Sequence, residues 1–429
     1  MENSELVHFL ERIITSNLEK SLDSKKVNRV LNKKSKASDR FGKFEDKDPN
    51  VDTLKLHGRQ IAEDLVKQAI SSGLELTATQ ITNKTLKGGN TAEFVGELTL
   101  NAPFVFKMDS ENKKLVDEGL AIQQIKNNLH LSKRFRDAWP FVYAIRSETP
   151  YAYLMEYFKP EEGWLSFEDR LYPNIKGKII SISQASRLIN SILNVLFEGY
   201  TDSLNTRQYP SIKEDYVLRI KERLMEAAKA DKRFESKQIN INGQVFRPWQ
   251  EYIDILEEQS NYLAQITPPF ITVVHGDPNP GNLLMKVTTS DVDLKLIDPK
   301  EWITGDYLFD ICKITHFIEA TGPVEKTVEG KEVKVQFING DVKNTLSYAI
   351  LTPDWTKTIV DICIDRLKDF ALSHGDLFWQ QRYELGMSSN LLGLPFGRLK
   401  KGNVDSASVL YGEGIKWLDK FCNNFKTNK

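Results

Sequence analysis

Residues 271–310 read ITVVHGDPNPGNLLMKVTTSDVDLKLIDPKEWITGDYLFD. Two short apolar runs, 271–274 and 283–287, flank a loop holding His275, Asp277 and Asn282, and a third run, 294–297, ends on Asp298. Apolar runs separated by turn residues predict strands of a buried β-hairpin. Pro278, Pro280 and Gly281 restrict the loop, so Asp277 and Asn282 keep a set separation. The spacing points to phosphoryl transfer. An Asp opening a tight loop can accept the proton of an attacking hydroxyl, while an Asn five residues later and an Asp after the next strand can ligate a metal from two sides. Sparse hard oxygen ligands leave room for water and phosphate oxygens, which suits Mg²⁺.

HGDPNPGN at 275–282, IDPK at 297–300 and GDYLFD at 305–310 together resemble the small-molecule kinases of the aminoglycoside phosphotransferase and choline kinase type. IDPK is most similar to the branch containing antibiotic and capsule-locus kinases. The resemblance implies an α+β, bilobal protein-kinase-like fold with a small antiparallel-sheet N-lobe and a larger, mostly helical C-lobe. It implies ATP or another nucleoside triphosphate and Mg²⁺ as cofactors, and a small polar acceptor: a sugar, an amino sugar or aminoglycoside, or an amino alcohol. Asp277 would be the catalytic base, Asn282 and Asp298 the magnesium ligands, and His275 and Asp310 would brace the loop. The tripeptide recurs at His374-Gly375-Asp376, but there Gln381 stands where the Asn is wanted and no strand ending on Asp follows, so this copy reads as a loop or helix start.

The chain has 429 residues, which suits two lobes, divided here as 1–53 (a helix and a polar connection), 54–154 (nucleotide-binding) and 155–429 (catalytic loop and acceptor-binding helices). Hydrophobic content of 40% and charged content of 27% are those of a globular chain, and a net charge of −1 gives no global field toward nucleic acid or an anionic membrane. Cys312, Cys363 and Cys422 are odd in number and far apart, which argues for a reducing compartment and against a disulfide framework. With no signal-like opening segment and no 18-residue apolar run, the expected location is the cytoplasm.

Residues 1–20 carry an amphipathic helical pattern, 21–52 read as a polar connection, and 54–71 predict a second helix with Ile61, Leu65, Val66 and Ile70 inward. Gly88, Gly89, Asn90 and Thr91 then precede two β-like runs, 93–100 and 104–108. Paired glycines let backbone approach a triphosphate closely, although alone they describe any hairpin; the kinase resemblance assigns them to the nucleotide. In FVFKM, alternation puts Phe104 and Phe106 on one face and Val105 and Lys107 on the other. A lysine on the inward face of a buried strand requires an anion, and the reading is that Lys107 reaches the α- and β-phosphates while Val105 lines the adenine pocket. The helix predicted at 114–129 offers Glu118 as the ion-pair partner of Lys107, with Glu111 and Asp117 as alternatives. By resemblance, Met155, Glu156 and Tyr157 form the hinge that meets the adenine edge.

Beyond the hinge the pattern turns helical, at 183–199, at 217–234 and from 354 to 425, with a small hairpin at 240–245 and a charged one at 324–339. Trp249, Glu251 and Tyr252 read first as core residues and second as a wall of the acceptor pocket. Glu301, Asp306 and Glu319 could attract an amino group and Trp302 could stack on an acceptor, while Asp306 equally reads as a helix N-cap. Two other functions remain open on sequence alone: a kinase of the same fold acting on a protein or RNA, suggested by the basic run at 25–36, and a catalytically silent nucleotide-binding regulator.

Overall fold

The computed structural model describes residues 50–71, 83–85, 94–99, 103–173, 180–300, 303–326 and 333–427. The helix expected at 1–20, the connection up to residue 49, Gly88, Gly89, Asn90, Thr91, Glu301, Trp302 and the turn at 329–330 lie outside these residues. The chain divides into two compact units: Met1–Leu129 with Arg136–Trp164 and Ile297–Trp302, and His130–Phe135 with Leu165–Leu296 and Ile303–Lys429.

The first unit is built on an antiparallel sheet of β1 (Asn83–Thr85), β2 (Phe94–Thr99), β3 (Pro103–Asp109), β4 (Val142–Arg146) and β5 (Tyr151–Glu156), in the order β1-β2-β3-β5-β4. Strand alternation sorts its side chains. Phe104, Phe106 and Met108 of β3 join Ala152 and Leu154 of β5 against Ile61, Leu65, Val66 and Ile70 of helix α1 (Asn50–Ser71). On the other face Val105, Tyr153 and Met155 meet Leu115 of helix α2 (Lys114–Asn127). Each such side chain, fully buried, contributes about 1.5–3 kcal/mol. The register sets Lys107 opposite Tyr153, which puts an ammonium on the α2 side of the sheet.

The second unit is mainly helical. Helix α3 (Ile182–Asp202) opens on a capping box, with Ser181 accepting from the Gln184 N–H and Gln184 returning the bond. A π-helical turn, Lys213–Leu218, runs into α4 (Arg219–Ala230). Strands β6 (Gln238–Ile241) and β7 (Gln244–Phe246) form the expected small hairpin, followed by α5 (Trp249–Glu258). The catalytic-loop region supplies β8 (Thr272–Val273), β9 (Leu283–Val287), β10 (Val292–Leu296) and β11 (Thr304–Gly305), and then α6 (Tyr307–His316), which continues as a π-helical turn, Phe317–Thr321. Strands β12 (Val335–Ile338) and β13 (Lys343–Tyr348) join β6 and β7 in a sheet ordered β12-β13-β6-β7, with β13 and β6 parallel. The expectation of a hairpin within 324–339 is corrected: β12 pairs with β13, beyond that stretch. Helices α7 (Thr356–Ser373), α8 (Trp379–Leu392) and α9 (Val404–Thr427) complete the unit. A Cβ at Gly386 of α8 would meet Cys312 Sγ at 2.7 Å, so glycine there lets α6 and α8 approach closely.

The strand before the loop also departs from expectation. Thr272–Val273 pairs with Thr304–Gly305 and not with β9; the hairpin is β9–β10. Pro278 and Pro280 lack N–H donors, so the loop cannot zip onto its own entry strand. The Val274 N–H is taken instead by Ile303 O, at 2.9 Å. Cys312, Cys363 and Cys422 are buried free thiols. No helix among the described residues is long and apolar enough to cross a membrane.

Candidate active site

In the second unit the HGDPNPGN loop is held from inside. Asp310, fully buried on α6, accepts the backbone N–H groups of His275 at 2.7 Å and Gly276 at 2.8 Å, and the Tyr200 hydroxyl at 3.0 Å. Burial pushes the Asp310 carboxyl up to about 7 against the pull of these donors. Gly276 takes φ 77°, a left-handed turn that glycine adopts without a side-chain clash. His275 is buried, and its Nδ1 accepts the Asp277 N–H at 3.3 Å. Asn282 donates from Nδ2 to Asp277 O at 2.9 Å, which orients the amide and leaves Oδ1 as an oxygen donor. Asp277 is thus fixed in backbone while its carboxylate is 28% exposed.

Two cations attend Asp277 that sequence reasoning did not single out. Lys313 Nζ lies 3.1 Å from Asp277 Oδ1 and is itself buried. Arg219 feels the Asp277 carboxylate, although burial acts more strongly and lowers its proton affinity. A signal for Lys313 existed: every residue of α6 is buried, and Lys313 is the one lysine among its apolar neighbours, one turn after Asp310. A buried ammonium requires an anion.

In the first unit, Lys107 Nζ lies 2.6 Å from Glu118 Oε1 and also pairs with Asp298. The Tyr153 hydroxyl donates to Glu118 Oε1 as well. Burial alone would push the Lys107 ammonium down, but Asp298, then Tyr153 and Glu118, outweigh it and hold the lysine charged well above its ordinary range. Of the three acidic partners weighed for Lys107, the structure brings Glu118 to it. Val105 sits on the same face, and Met155 packs beside it. Glu156 closes β5, where its N–H donates to Phe141 O, and Tyr157 follows the strand. Asp298 has φ 57°, one of two non-glycine residues in the left-handed region among those described.

Whether these residues suit a magnesium ion can be judged from their donors. Asp298 Oδ1 is buried and accepts no hydrogen bond from the described residues beyond its ion pair with Lys107, and Asn282 keeps Oδ1 available. Among the described residues no group of three or more His, Cys, Asp or Glu is placed to hold a metal ion by itself. The Asp298 carboxylate and the Asn282 amide are each by themselves a hard oxygen donor of the kind magnesium takes alongside phosphate and water.

Other residues from the sequence reading have structural roles. Asp306 is buried, caps α6 by accepting from Leu308 N–H, and is bound by Arg382 and Tyr216. It is therefore corrected from acceptor candidate to core residue. Asp376, from the second HGD, is likewise buried against Arg382 and the Tyr307 hydroxyl. Trp249 donates Nε1 to Phe234 O and Tyr252 donates to Asp419, so both are core residues.

No protein-family model and no curated protein matches the sequence. Among solved structures, a glucosamine kinase in complex with glucosamine, ADP and inorganic phosphate matches with TM-score 0.51 and 12% identity over 86% of this chain and 88% of that one. A thermostable mutant of aminoglycoside phosphotransferase APH(4)-Ia in apo form matches with TM-score 0.45 and 12% identity over 80% of this chain and 95% of that one. An ethanolamine kinase of Plasmodium vivax matches with TM-score 0.44 and 9% identity over 91% of this chain and 99% of that one. The chain has the α+β, protein-kinase-like fold of the glucosamine kinase, the fold that the HGDPNPGN and IDPK motifs lead one to expect.

Proposed function

We propose that this protein is an ATP-dependent phosphotransferase acting on a hydroxyl of a small polar acceptor. The observation that carries the reading is Asp277: a partly exposed carboxylate on a loop clamped by Asp310, with Asn282 tied to its backbone and Lys313 against one oxygen. Asp277 orients the acceptor hydroxyl and takes its proton. The acceptor oxygen forms a bond to the γ-phosphorus, the bond from that phosphorus to the β-phosphate oxygen breaks, and ADP leaves with that electron pair. Lys313, against one carboxylate oxygen, fixes the orientation of the Asp277 carboxylate. Lys107, kept in place by Glu118, steadies the α- and β-phosphates; Val105, Met155, Glu156 and Tyr157 serve the adenine, and Gly88, Gly89, Asn90 and Thr91 the triphosphate. A magnesium ion held by Asn282 and Asp298 would neutralise charge on the phosphate oxygens. His275 positions the Asp277 backbone.

The fold shared with the glucosamine kinase supports this reading, and the intact set of Lys107, Asp277, Asn282 and Asp298 favours it over a silent regulator. The test is incubation with γ-labelled ATP and magnesium against sugars, amino sugars, aminoglycosides, amino alcohols and a cell lysate, with products separated by size. Label in a small acceptor that is lost in Asp277→Asn supports the proposal. Label confined to protein or RNA, or none above the Asp277→Asn background, refutes it.

A further inference from the structure

Away from the Asp277 cluster, and sharing no lining residue with it, the second unit contains a cavity of about 590 Å³, room enough for a sugar-sized molecule. Its walls are the π-helical turn after α6, which contributes Glu319, the start of α7, which contributes Thr356, and a face of α9, which contributes Trp417. Single π turns inside helices recur at functional sites, because the extra residue widens the backbone and turns a side chain outward.

Three acids and three lysines line this cavity, but their pairing leaves one carboxylate over, because Lys420 is engaged by Glu384 from outside the lining. Its three lysines are each matched: Lys357 with Asp361, Lys416 with Glu413 at 2.7 Å, and Lys420 with Glu384 at 3.2 Å. Glu413 also accepts the Tyr348 hydroxyl, at 2.6 Å. Glu319 is the carboxylate left over; among the described residues it has no ion-pair or hydrogen-bond partner, although it is half-buried. Thr356, only 6% exposed, has a hydroxyl with no protein partner. Trp417 supplies a flat apolar wall, kept in orientation by Tyr383 packed edge-on at 5.8 Å. A half-buried carboxylate and a buried hydroxyl, neither with a hydrogen-bond partner among the described residues, thus lie on one cavity.

We propose that this cavity binds a small hydroxylated molecule bearing one ammonium group, with the ammonium on Glu319 and a hydroxyl on Thr356. A direct cationic partner is what Glu319 lacks: a second positive charge would face Lys416 and Lys420, and an anion would meet Glu319 and Glu413. Burial, and then Glu413, push the Glu319 carboxyl up to about 7, with Lys420 opposing; Tyr383, Cys312 and Cys363 also face it. An ammonium arriving there displaces the proton and takes its place. The proposal stands independently of the transfer reading.

The test is calorimetric titration of the full chain at pH 7 with glucosamine, glucose and N-acetylglucosamine. Glucosamine should bind at least tenfold more tightly than the two neutral sugars. Glu319→Gln should remove that preference and Thr356→Val should weaken it several-fold. Asp277→Asn should leave it unchanged, which separates this site from any acceptor bound at the transfer centre. Equal affinity for the three sugars, absence of glucosamine binding, an unaffected Glu319→Gln variant, or a loss confined to Asp277→Asn each overturns the proposal.

Discussion

Replacing Glu319 by Gln removes one negative charge and almost no volume, and the consequence for stability follows from the surroundings of the carboxyl. An ordinary glutamate titrates near 4.5, whereas Glu319 is held at about 7, first by burial and then by Glu413. The folded chain therefore keeps its proton where the unfolded chain has lost it. Stability from this group is fully present below pH 4.5, falls as pH rises, and is lost once pH passes 7. At ~1.4 kcal/mol per pH unit between the two titrations, the wild-type penalty is about 1 kcal/mol at pH 5 and about 3 kcal/mol at pH 8. Gln carries no such penalty, so Glu319→Gln should be the more stable chain by about those amounts, with the gap widening toward high pH. Urea titrations of both proteins at pH 5, 6, 7 and 8, followed by tryptophan fluorescence, measure this directly. A gap that is the same at every pH, or a variant less stable than wild type at pH 8, would show that the carboxylate is solvated or paired, and would refute the reasoning.

Asp277→Asn should reduce transfer by roughly a hundredfold or more while nucleotide affinity, measured by titration with ADP, stays within a few-fold of wild type. Lys107→Met removes the ammonium that Glu118 and Asp298 surround; it should weaken ADP binding at least tenfold and lower the unfolding temperature, since breaking a buried pair costs about 3–5 kcal/mol. Lys313→Met removes the ammonium beside Asp277 Oδ1 and should lower kcat more than it raises KM; equal kcat in the variant would assign the lysine to packing alone. Arg382→Met leaves Asp306 and Asp376 buried without their shared guanidinium and should destabilise the fold by about 3–5 kcal/mol. The triple replacement with Asp306→Asn and Asp376→Asn should recover part of that loss in the same urea assay.

Much of this site was legible in the chain because its local signals agree. The strand alternation of FVFKM fixes the inward face of Lys107, and the structure brings Glu118 to it over a separation of only eleven residues. The proline-rich loop was readable in its local turn chemistry, although its clamp, Asp310, comes from some thirty-five residues away. What sequence pattern could not give is pairing between distant segments. Thr272–Val273 looks ready to pair with Leu283–Val287, but its partner lies some thirty residues on, at Thr304–Gly305. A polar residue at a helix end stays ambiguous for the same reason. Asp306 reads as a possible acceptor ligand until Arg382, 76 residues away, arrives to neutralise it. The two HGD tripeptides differ in their counter-ions. Asp277 meets a lysine at a partly open surface, while Asp376 meets an arginine with no exposed area.

The left-handed backbone at Asp298 limits how that carboxylate can be interrogated. Aspartate and asparagine tolerate this conformation because a short polar side chain can hydrogen-bond the local backbone; alanine keeps the same Cβ crowding, about 1–2 kcal/mol, without that compensation. An alanine scan would thus distort the bend while deleting the charge, and would overstate the importance of the side chain. Asparagine subtracts the charge and keeps the side-chain shape, whereas glycine subtracts the charge and also relaxes the bend, so the difference between the two isolates the contribution of chain shape.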